Sequence, residues 1–113
     1  MVVGTGLIDL RIPDTGSLKE KRGVLKRIIH RTQNEFNVSI AEVGDNDIWR
    51  RARIGFSVVG NDRPTINAKI DHILRFIDRL ELAEVIRSRF EIASYDDLMD
   101  GDAGDAEEMG KYD

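Results

Sequence analysis

The chain has 113 residues, a formal charge of −4 and no cysteine. That length supports one domain at most, and the missing cysteine excludes disulfides, thiolate zinc sites and cysteine nucleophiles together. No apolar run approaches the ~20 residues of a membrane span, and Met1-Val2-Val3-Gly4 carries no basic leader signature. A cytoplasmic protein without a membrane partner is expected. The charge is unevenly spread. From Ser94 onward eight acids face one base, a net −7, while residues 1–93 hold sixteen bases and thirteen acids, a net +3. This asymmetry divides the chain into a basic domain at 1–93 and an acidic tail at 94–113.

Residues 2–12 alternate as a strand. Val2, Gly4, Gly6, Ile8, Leu10 and Ile12 share one side, and Val3, Leu7, Asp9 and Arg11 the other. Pro13 ends it, and Asp14-Thr15-Gly16 is turn chemistry. Ser17 and Glu20 then form a capping box, in which each side chain satisfies an orphan N–H of a helix's first turn. The helix runs to about Glu35. Leu18, Val24, Leu25, Ile28, Ile29 and Thr32 line its apolar face. Lys19, Arg22, Lys26, Arg27, His30 and Arg31 lie opposite. Lys21 falls inside the apolar arc and is expected to snorkel outward.

A second strand is expected over 36–43, a polar loop at 44–47, and a third strand over 51–59 with Ala52, Ile54, Phe56 and Val58 inward. Asn61 or Asp62 can cap a second helix, with Pro64 in its first turn. Ile66, Ile70, Ile73, Ile77 and Leu80 step by four and three along that helix. A last strand is expected near 85–93, with Ile86, Phe90 and Ile92 toward the core. The order β-α-β-β-α-β predicts an α+β, ferredoxin-like fold: four antiparallel strands in the order 4-1-3-2, both helices on one face. The tail mixes Asp, Glu, Gly and Ala, and its composition predicts disorder.

Three stretches form a distinctive set: Ser17-Leu18-Lys19-Glu20-Lys21-Arg22, Phe36-Asn37-Val38-Ser39-Ile40-Ala41-Glu42, and Val58-Val59-Gly60-Asn61-Asp62, with Trp49 between the last two. In this order and spacing they resemble the YlxP-like family of small bacterial proteins of unknown function, over roughly residues 1–93. The resemblance implies a ferredoxin-like fold. Genes of that family tend to sit among translation and ribosome-maturation genes, which implies an RNA or ribosome connection. It implies no catalytic residue. The matching positions are Ser17, Lys19, Lys21, Arg22, Asn37, Glu42, Trp49, Asn61 and Asp62.

The basic helix is the most informative candidate. Six Lys/Arg against one Glu between Ser17 and Gln33 make a positive stripe, the footprint of a phosphate-backbone contact. Solvated helix faces more often mix signs at i,i+4. Lys19, Arg22, Lys26 and Arg27 are therefore expected to bind phosphates of structured RNA or a ribosomal particle, supported by Arg50, Arg51 and Arg53. Trp49 beside those arginines can stack on a base or cap the core. The open sheet face is the alternative: Asp9, Arg11, Arg51, Arg53, Arg87, Arg89 and Glu91 point outward with Val3, Leu7 and Val59, a surface for a protein partner or homodimer, or for cross-strand pairing of Asp9 with Arg53 or Arg89. The tail can occupy the cations a nucleic acid would use, or serve only solubility.

Other chemistry is weakly signalled. Glu42, Asp45 and Asp47 lack EF-hand spacing, and Asp100–Asp105 lacks the closing bidentate Glu. His30 and His72 have no obvious nucleophile or orienter. Gly4-Thr5-Gly6 lies inside a strand and is followed by no Lys-Ser/Thr, so it is not a phosphate loop. The expectation is a binding module with no enzymatic activity, no cofactor and no metal.

Overall fold

The computed structural model describes residues 1–13, 16–44 and 48–95. The Asp14-Thr15 turn, the Asp45–Asp47 loop and the acidic tail from 96 onward lie outside the described residues. Six elements follow one another: β1 (Val2–Arg11), α1 (Leu18–Glu35), β2 (Ser39–Gly44), β3 (Arg51–Gly60), α2 (Arg63–Arg79) and β4 (Glu84–Ser94). The strands form one antiparallel sheet in the order β2-β3-β1-β4, with β1 and β3 in the centre. This is the expected ferredoxin-like arrangement. Among the described residues no helix is long and apolar enough to cross a membrane.

Each element follows from local chemistry. Ser17 Oγ accepts the Glu20 N–H at 3.2 Å and caps α1, while the Glu20 carboxylate reaches back to the N–H of Gly16 at 2.9 Å. Asp62 caps α2 through the Thr65 N–H at 2.8 Å, with Pro64 in the first turn, where its missing N–H costs nothing. That hydrogen bond holds the Asp62 carboxyl below the usual carboxylate range. Glu81 takes φ 54°, the left-handed position that commonly ends a helix.

The core lies between helices and sheet. Ile66, Ile70, Ile73 and Ile77 of α2 and Leu25 and Ile28 of α1 pack on Val2, Ile8 and Leu10 of β1 and Ala52, Ile54, Phe56 and Val58 of β3. Two glycines of β1 make room for this. A Cβ on Gly4 would stand 2.7 Å from Ile66 and 2.8 Å from Ile70, and one on Gly6 would meet the Phe56 ring at 2.3 Å. The strand glycines thus let α2 and an aromatic ring approach the backbone closely.

Three expectations need correction. Phe36 does not open β2; its N–H donates to Thr32 O at 2.9 Å as the C-cap of α1, and its ring meets Phe76 edge-to-face at 5.5 Å. That aromatic pairing with α2 overrides the local alternation, and the strand begins at Ser39. Ile86 leaves the core side because the β1–β4 register shifts between Asp9 and Leu10, and the residue is 51 % exposed. Phe90 keeps its helix-side register opposite Gly6 but lies on the edge strand and is also 51 % exposed.

Candidate functional site

The outer face of α1 carries Lys19, Arg22, Lys26, Arg27, His30 and Arg31, all exposed. The buried stripe of the helix is Lys21, Leu25, Ile28 and Thr32, and at 100° per residue the six exposed side chains fill the opposite half-turn of the wheel. From Lys19 to Arg31 the stripe extends about 18 Å along the axis. Among the described residues no carboxylate lies within 4 Å of Lys19, Arg22, Lys26, Arg27 or Arg31. Five cations and one acid, Glu20, therefore share this face, and among the described residues none of the five cations is in an ion pair.

Lys21 behaves differently from every other cation of α1. It does not snorkel: its side chain is 1 % exposed. The ammonium donates to Ile48 O at 2.7 Å and stands 3.3 Å from Glu42 Oε2. Oε2 accepts no aligned hydrogen bond among the described residues, so its partner is the charge of Lys21. The Glu42 side chain is 22 % exposed and keeps some contact with water. Lys21 thereby fastens the segment before β3 to the start of α1. Sequence reasoning missed this role, although an ammonium in an apolar arc and a carboxylate on the inward phase of β2 were both visible.

The fastened segment presents Ile48, Trp49 and Arg50. All three are exposed, Trp49 by 51 %, and the Ile12 N–H donates to Arg50 O at 2.9 Å. Trp49 thus leaves half its surface to solvent instead of closing the core. Its position follows from Lys21, whose hydrogen bond acceptor is the carbonyl directly before it.

Arg51 and Arg53 lie elsewhere. Their phase on β3 points them to the open sheet face, away from the helix layer that carries Lys19 to Arg31. The α1 cations and the supporting Arg51 and Arg53 therefore lie on opposite sides of the molecule. Arg53 is also engaged: its Nε donates to Asp9 Oδ1 at 2.7 Å, and Arg87 donates to Asp9 Oδ2 at 2.9 Å. The hydrogen bond from Arg53 is the main reason the Asp9 carboxyl sits below its usual range; Arg87 adds to it, and burial works against both. The cross-strand pairing expected for Asp9 is thus realised with Arg53 and with Arg87 rather than Arg89, because register places Arg87 opposite Asp9 and Arg89 opposite Leu7.

Among the described residues no group of three His, Cys, Asp or Glu side chains is placed to hold a metal ion. Glu42 is committed to Lys21, while Asp45, Asp47 and Asp100–Asp105 lie outside the described residues. His30 is exposed on the α1 stripe, and His72 lines a shallow depression with Glu35, Phe36, Arg75, Phe76 and Arg79.

Residues 3–90 match a family described as a protein of unknown function (DUF503). A protein of Bacillus subtilis (strain 168), named "Uncharacterized protein YlxP", is 46 % identical over 77 residues, which cover 68 % of this chain and 84 % of that protein. Among solved structures, the de novo designed protein Foldit4 superposes with a TM-score of 0.50 at 21 % identity, covering 82 % of this chain and 96 % of its own, and shares the fold. A dimeric ferredoxin-like protein from an uncultured marine organism covers 82 % of this chain and 92 % of its own, at 10 % identity and a TM-score of 0.38. The family match spans most of the chain and the Bacillus subtilis relative is nearly half identical, so this protein belongs to the YlxP-like DUF503 family.

Proposed function

We propose that this protein is a non-catalytic accessory factor that binds the phosphate backbone of structured RNA in a ribosomal particle, through the outer face of α1. The observation that carries this reading is the five exposed cations on that face with no carboxylate within 4 Å among the described residues. Along this face only Arg31 has an acid at i+4, Glu35, and among the described residues the two form no ion pair within 4 Å, so the face keeps a net positive charge.

The residues assigned to phosphate contact are Lys19, Arg22, Lys26 and Arg27. Such contacts position a protein without reading bases. Trp49 and Arg50 lie on the segment that Lys21 fastens, and a half-exposed indole can stack on an unpaired base. Several residues of the family-matching set are occupied by the fold itself: Ser17 and Asp62 cap helices, Lys21 and Glu42 pair, and the carbonyl of Asn37 accepts from Lys69. Lys19 and Arg22 are exposed with no ion pair among the described residues, and Trp49 is half exposed. A ribosomal partner would place the protein's work in the cytoplasm.

Sedimentation of the full chain with ribosomal particles at rising salt tests the proposal. Co-migration should fade as salt increases, and with about four phosphates engaged affinity for a single-stranded RNA should fall with a log–log slope near −3. Absence from every particle at low salt would overturn it.

A further inference from the structure

The open face of the sheet is patterned from end to end. At the end where β4 finishes, it carries Val3 and Val59, followed by Leu7 and Val43; Val59 and Val43 are both more than half exposed. At the other end it carries Arg11, Arg51, Arg53 and Arg87 around Asp9, with Glu84 opposite Arg11; Arg89 stands level with Leu7, and Glu91 one row nearer the apolar end. Arg11 and Arg51 stand directly opposite each other in the β1–β3 ladder, an unfavourable like-charge pair. Among the described residues no carboxylate lies within 4 Å of Arg11, Arg51 or Arg89.

The tail has the complementary pattern in the same order. It leaves the sheet at Tyr95, whose N–H donates to Met1 O at 2.9 Å, beside the apolar end of the face. Past Asp96 and Asp97 come Leu98 and Met99, and Asp100, Asp102, Asp105, Glu107 and Glu108 follow with no base among them. Reach is sufficient. Tyr95 to Arg87 is eight residues of strand, about 26 Å, and the thirteen residues from 96 to 108 can extend about 43 Å.

We infer that the occupant of the open sheet face is this chain's own acidic tail: Leu98 and Met99 against Val3, Leu7 and Val59, and the acids of 100–108 against Arg51, Arg87 and Arg89. A second copy of the same face fits less well. It would bring its own surplus of arginines against these and offer few acids to meet them. Tethering raises the local concentration of the tail over the face without any further contact. The seat leaves the outer face of α1 uncovered, and the inference holds whether or not α1 binds RNA.

The absence of cysteine makes the test direct. Ala106→Cys in the full chain gives a single attachment point for a nitroxide spin label, and amide signals are followed by NMR. At low ionic strength the label should erase or weaken the amides of Asp9, Arg51 and Arg89 and spare those of α1. The loss should reverse in 1 M salt, where the Debye length is about 3 Å, and in an Arg51→Ser/Arg89→Ser chain, which leaves both bonds to Asp9 intact. Loss at α1 instead, or at no site, overturns the inference. So does loss carried by a spin-labelled molecule onto an unlabelled one, which would make the occupant a second copy.

Discussion

The two basic regions of this molecule hold similar numbers of cations and use them differently. On α1 five exposed cations share a helical stripe with one acid, Glu20, whose carboxylate turns back to the N–H of Gly16, and the backbone beneath is fixed by a capped, well-packed helix. On the sheet, Asp9 draws Arg53 and Arg87 into a network, and apolar side chains share the face. A field that is not neutralised locally extends toward a distant polyanion, whereas a paired and partly apolar face suits a nearby, tethered segment. Charge count alone would treat the regions as equivalent; their pairing separates them.

The largest effect expected is loss of RNA association on reversing Lys19, Arg22 and Lys26 to Glu. Each change removes a phosphate contact and adds a repulsion, so affinity should fall on the order of 1,000-fold, about 4 kcal/mol. Circular dichroism should show the helix intact, since all three side chains are exposed. The matching change on the other region, Arg51 and Arg89 to Glu in the full chain, should leave RNA association within about threefold. That margin is under 1 kcal/mol. Equal losses from the two triple and double variants would erase the distinction between the regions.

Next in size is the buried pair that supports the α1 side. Glu42→Ala removes the carboxylate that stands 3.3 Å from the 1 % exposed Lys21 ammonium and keeps the hydrogen bond to Ile48 O. Breaking a buried pair in this way typically costs 3–5 kcal/mol; partial exposure of Glu42 places the expected loss near the lower end, about 3 kcal/mol, read by urea unfolding. Lys21→Met should cost less, because it removes the buried charge itself and leaves Glu42 access to water. The reverse ranking would mean that Glu42, not Lys21, bears the desolvation. Neither variant removes a cation from the exposed stripe, so loss of RNA binding by Lys21→Met would point to the Trp49 segment it holds.

Much of this was legible in the sequence, and the failures share a cause. The strand order and helix faces follow from periods of 2 and 3.6 residues, which are local, and the stripe on α1 is decided by the phase of one helix. Lys21 could not be placed that way, because its partners Glu42 and Ile48 come from another strand and loop. Ile86 depends on a register shift between two strands, and Phe36 on a ring contributed by α2. The separation of Arg51 and Arg53 from α1 was implicit in the predicted topology. With both helices on one face, the odd residues of β3 must point to the other.

The smallest effect concerns Asp9, and it sharpens the contrast between the regions through pH. Arg53, with help from Arg87, holds the Asp9 carboxyl below its usual range. A depressed carboxylate contributes stability above its unfolded value, near pH 4, and that contribution is lost as pH falls through the lower folded value. Asp9→Asn should therefore lower stability at pH 7 and flatten its dependence on pH below about 4. The arginines are substantially exposed, at 41 % and 66 % of their side chains, so solvent screening limits the effect to about 1 kcal/mol. No comparable acid loss should arise from the α1 face, where among the described residues no carboxylate lies within 4 Å of the five cations. Thermal or urea unfolding of native and Asp9→Asn protein across that range reads the difference. An unchanged slope in the variant would show that the Arg53–Asp9–Arg87 network contributes nothing to folding. The sheet-face arginines would then be as available to a polyanion as those of α1.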